Sequence, residues 1–114
     1  MGKDLTLIVD KNKVKGLSVF GYNRLILDRD ESLFDKIIDI PSERSEGVMV
    51  YHEDGMSEEY TCSFGGHEHR LRSVLAARLA KTINRNSRSK WNLAVADFLA
   101  SLGSDYKVIL YWDD

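Results

Sequence analysis

The chain has 114 residues, 43% hydrophobic and 30% charged, with one cysteine, one proline and a formal net charge of −2. That is the size of one domain, long enough to bury about two thirds of its extended surface without a structural metal, and the composition excludes collagen-like, mucin-like and wholly disordered chains. Cys62 is the lone thiol, which excludes an internal disulfide.

Residues 5–9 are apolar or β-branched throughout, the pattern of a strand covered on both faces. The five uncharged residues between Asp4 and Asp10 are too few for a secretory apolar region. No run approaches the ~18 apolar residues of a membrane-spanning helix, so a cytoplasmic location without membrane partners is expected. Residues 10–13 read as a polar turn, and residues 16–20 and 22–27 as one or two strands bent at Gly21. Asp28 followed by Glu31 is a capping-box variant ahead of Leu33, Phe34, Ile37 and Ile38. A helix over about residues 30–39 follows, ended by Pro41. Residues 48–51 and 59–64 flank the Asp54-Gly55 turn signal and predict a hairpin.

After Gly65-Gly66, Leu71, Leu75, Leu79 and Ile83 recur four apart, which predicts a helix over about residues 68–84. Trp91, Ala94, Val95, Phe98, Leu99 and Leu102 predict another, capped from the Ser- and Asn-rich joint before it and stopped at Gly103. Residues 106–112 alternate, directing Tyr106, Val108, Leu110 and Trp112 to a core and leaving Lys107 and Tyr111 on an exposed rim. Read as an edge strand, this segment offers free backbone groups for self-association, hence a homodimer. The order is that of a single α+β domain over residues 1–114: a mostly antiparallel sheet of about five strands with a short helix and a two-helix segment packed on it.

The small net charge conceals a strong asymmetry. Residues 28–59 hold 11 acidic and 3 basic side chains, or −8, whereas residues 67–90 hold 7 basic and one acidic, or +6. Opposed charge fields of this kind steer and orient protein association. The leading expectation is therefore a small intracellular, non-enzymatic protein-binding, inhibitory or accessory protein using charged and aromatic patches. Its contact residues would be Arg70, Arg78, Lys81 and Arg85 on the basic side and Glu53, Glu58 and Glu59 on the acidic side, where Asp39, Glu43 and Glu46 also fall. The alternative is nucleic-acid binding through Arg70, Lys81, Arg85, Arg88 and Lys90. Overall acidity and an unconvincing helix-turn-helix count against it.

Catalytic chemistry finds less support. Cys62, His67 and His69, with His52 across the hairpin, are zinc-type ligands, but their spacing lacks a paired-ligand motif. No third group is singled out to orient a Cys–His pair, so a small metal- or thiol-dependent hydrolase is the weakest alternative. The acidic pairs fall in turns and at element ends, and Gly65-Gly66 lacks both the phosphate-loop and dinucleotide patterns. No catalytic residue, metal ligand or cofactor is nominated. Trp91 and Trp112 read as packing residues.

Overall fold

The computed structural model describes residues 4–9, 23–45, 47–51, 56–61 and 71–113. Strand β1 (Asp4–Ile8) pairs with β2 (Arg24–Ile26), which leads into helix α1 (Glu31–Ile38). Two residues, Glu43–Arg44, form β3; β4 (Gly47–Tyr51) and β5 (Ser57–Thr61) make a hairpin. Strand β6 (Leu71–Leu75) runs directly into α2 (Ala76–Asn86), which is followed by α3 (Lys90–Ala100) and β7 (Lys107–Asp113). The five-stranded sheet has the order β2-β1-β7-β6-β3, antiparallel throughout, and β4-β5 forms its own two-stranded sheet. This is the α+β architecture expected from the sequence.

Strand periodicity divides the apolar side chains between two cores. Leu5, Leu7, Val74, Val108 and Leu110 face the helices and meet Leu33, Phe34, Ile37, Leu79, Ile83, Val95 and Leu99 in the main core. The opposite parity sends Ile8, Leu71, Ile109 and Tyr111 to a second cluster with Val48, Val50 and Tyr60 of the ribbon. The five-stranded sheet is thus covered by helices on one face and by the β4-β5 ribbon on the other, and residues 5–9 are apolar or β-branched at successive positions for that reason. An edge-to-face contact between Phe34 and Trp112, with centroids 5.6 Å apart, joins α1 to β7. Tyr60 and Tyr111 stack at 5.2 Å between ribbon and sheet.

Three sequence expectations need correction. The C-terminal strand is not an edge: β7 lies between β1 and β6, with Thr6 and Leu71 both in register with Tyr111. Its backbone is paired on both sides, and Tyr111 is buried beneath the ribbon rather than on a rim. The predicted helix over 68–84 begins only at Ala76, because residues 71–75 are β6. A spacing of four is even and therefore fits one face of a strand as well as a helical stripe; Leu71 is buried on the ribbon side and Leu75 is exposed. Finally, Asp30 caps α1, its carboxylate accepting from Leu33 N at 3.1 Å, while Asp28 is used elsewhere. Residues 10–13, 16–20 and 62–70, with Gly21, Asp54 and Gly55, lie outside the described residues.

Two buried amides hold the layers together. Asn23 donates to Val9 O at 2.7 Å and Met49 O at 2.9 Å, fastening the ribbon to the end of β1. Asn92, 0% exposed, accepts from Asp28 N at 2.7 Å and donates to Asp28 O at 3.2 Å, so its side chain pairs with a peptide unit as another backbone would. Ser89 caps α3 by accepting from Asn92 N and donates to the Asp28 carboxylate at 2.5 Å. The Trp91 indole donates to Ile26 O at 2.6 Å, while its ring stays half exposed. Together these contacts dock the start of α3 onto the segment between β2 and α1.

Candidate functional site

Helix α2 buries Ala76, Leu79, Ala80 and Ile83, and the remaining helical angle carries Arg78, Lys81, Thr82 and Arg85. These four sit at i, i+3, i+4 and i+7, one stripe facing away from the core. The stripe lines an open groove of about 380 Å³ whose other side comes from the end of α1 and the turn after it: Lys36, Asp39, Ile40 and Pro41. Four cations therefore surround one carboxylate, with Ile40 and Pro41 supplying apolar surface.

Local chemistry fixes the α1 side. The C-cap of α1 is Asp39, and Ile40 N donates to Ile37 O at 3.0 Å as the helix closes. Ile40 is buried against the main core, whereas Pro41 ends the helix and faces outward. Beyond it, Arg72 of β6 donates from Nε to the Ser42 hydroxyl and from a terminal nitrogen to Ser42 O, both at 3.0 Å. That guanidinium clamps the turn following the groove wall. It belongs to the scaffold rather than to the cationic surface suggested by the basic count over residues 67–90.

Arg78, Lys81 and Arg85 are exposed, as is Lys36. Among the described residues, no ion pair or side-chain hydrogen bond engages their charged heads. Arg85 in the last turn of α2 also complements the negative end of the helix. The ion pairs Arg29–Asp4, at 2.8 Å, and Lys107–Glu43, at 3.2 Å, lie elsewhere and are exposed.

Of the expected contact residues, the groove brings together Arg78, Lys81 and Arg85. Arg70 and Glu53 lie outside the described residues, as do Cys62, His52, His67 and His69. Arg88 and Lys90 are exposed in the α2–α3 joint and at the start of α3, and neither lines the groove. Glu58 and Glu59 are exposed on β5, in register with Val50 and Met49, so strand alternation directs them to opposite faces of the ribbon. Glu58 shares the sheet-facing side with Tyr60; burial, helped by the Glu58 charge, raises the Tyr60 phenol above its ordinary value of 10.0.

Sequence spacing alone exposes the α2 stripe. It misses Lys36, Ile40, Pro41 and Thr82, because Lys36 sits inside an acidic window and nothing local signals that the end of α1 lies beside α2. Among the described residues, no group of three His, Cys, Asp or Glu side chains is placed to hold a metal ion. No described helix is long and apolar enough to cross a membrane. No family model, curated protein or solved structure matches the chain.

Proposed function

We propose that the protein is a small non-enzymatic binding domain, acting as an accessory or inhibitory factor that engages a protein partner through its charged surface. The observation that carries this reading is the α2 cation stripe: Arg78, Lys81 and Arg85 project from a well-packed helix with their charges uncompensated among the described residues. Exposed cations on a rigid element form an attractive field, and Arg suits paired recognition of carboxylates. Nucleic-acid binding draws on the same cations with Arg88 and Lys90. The carboxylate of Asp39 inside the groove favours a partner segment of lower negative charge density than a nucleic acid.

Affinity purification from the native host at low and high salt, with and without nuclease, tests the assignment. A protein partner that survives nuclease and is released by salt is the expected result. A partner lost only on nuclease treatment, or micromolar oligonucleotide binding abolished by neutralising Lys81 and Arg85, would replace the reading with nucleic-acid binding. Sedimentation of the same sample separates a second copy of the chain from a foreign protein.

A further inference from the structure

The geometry points to a specific occupant of the α1–α2 groove: an extended acidic segment of a protein partner in which carboxylates alternate with apolar side chains. This rests on the protein-binding reading and adds the class of segment bound. Spacing and charge on α2 match such a segment. Lys81 and Arg85 are separated by four residues, about 6 Å along the helix axis. Carboxylates two apart on an extended chain are separated by about 6.6 Å and point the same way. Such a chain lying along α2 presents two acids to Lys81 and Arg85, with Arg78, about 4.5 Å before Lys81 along the axis, reinforcing the positive field at that end. The intervening side chains point to the opposite wall, where exposed Pro41 and the edge of Ile40 supply apolar surface between Lys36 and Asp39.

Asp39 supplies the discriminating element. An extended peptide carries backbone N–H donors that an acceptor carboxylate at the groove wall can satisfy, and a phosphodiester chain carries none. Asp39 repels acidic groups of either chain, but only the peptide offsets this with backbone donors, so Asp39 disfavours a nucleic acid more than a peptide although both are drawn by the same four cations.

Fluorescence titration at low salt tests this with three labelled probes: a peptide alternating glutamate and leucine, the same peptide with glutamine for glutamate, and a single-stranded oligonucleotide. The acidic peptide is expected to bind most tightly and to lose at least about tenfold in affinity in Lys81→Glu and in Arg85→Glu. Asp39→Asn is expected to tighten the oligonucleotide more than the peptide. All three positions are exposed, and an unchanged circular dichroism spectrum verifies the fold of each variant. Equal binding of the glutamine peptide, tighter binding of the oligonucleotide to the wild type, or indifference to both charge reversals would overturn the proposal. A protein partner that still co-purifies with the Lys81→Glu/Arg85→Glu variant would retain the protein-binding reading and remove the groove from it.

Discussion

Asn92 shows how one polar side chain can define a junction. It is fully buried and satisfies both the N–H and the C=O of Asp28, groups that no other described contact serves. Asn92→Ala would leave both peptide groups poorly paired, and urea unfolding should record a loss of about 2–4 kcal/mol. Tyr60 makes a second residue-scale prediction. Its phenol ionises less readily in the folded protein than in the unfolded chain, because burial and Glu58 both oppose the phenolate. Its contribution is therefore fully present below the ordinary value of 10.0 and is lost as pH rises through the higher folded value. Denaturation series between about pH 9 and 12 should show a steeper alkaline loss for wild type than for Tyr60→Phe.

At the scale of elements, the ribbon is a separate two-stranded sheet laid on the larger one. Val48, Val50 and Tyr60 pack on the sheet, the Asn23 amide donates a hydrogen bond to Met49 O, and the Tyr60 hydroxyl is hydrogen-bonded with Arg24 of β2. Asn23→Ala should accelerate amide hydrogen exchange in β4 and β5 while β1 and β7 keep their protection; uniform acceleration would show that the ribbon does not open separately. The sequence makes α1, α3, the hairpin and the doubly covered β1 legible, because capping residues and side-chain period are local signals. It misplaces β6 because Leu71 and Leu75 satisfy two periods at once, and β7 because strand order depends on long-range pairing. For the same reason the α2 half of the groove is legible from Arg78, Lys81 and Arg85, whereas the Lys36–Pro41 half is not: it comes from a segment about 40 residues away that tertiary packing brings alongside.

For the whole molecule, the near-neutral net charge acquires a spatial meaning. The groove draws Lys36 and Asp39 from the acidic window and Arg78, Lys81 and Arg85 from the basic one, so residues of both windows line it. Because these groups are exposed, Lys81→Glu should alter folding stability by less than about 0.5 kcal/mol in urea unfolding, yet reverse a charge that the partner meets. Binding should also weaken steadily as ionic strength rises, since the contacts are solvent-exposed. The most direct measurement is an amide NMR titration of the protein with the alternating glutamate–leucine peptide. Saturable shifts concentrated at residues 36–41 and 78–85, abolished in Lys81→Glu/Arg85→Glu, are expected. Shifts confined to β4 and β5 or to residues 88–90, or a map unchanged by the charge reversals, would contradict binding in the groove.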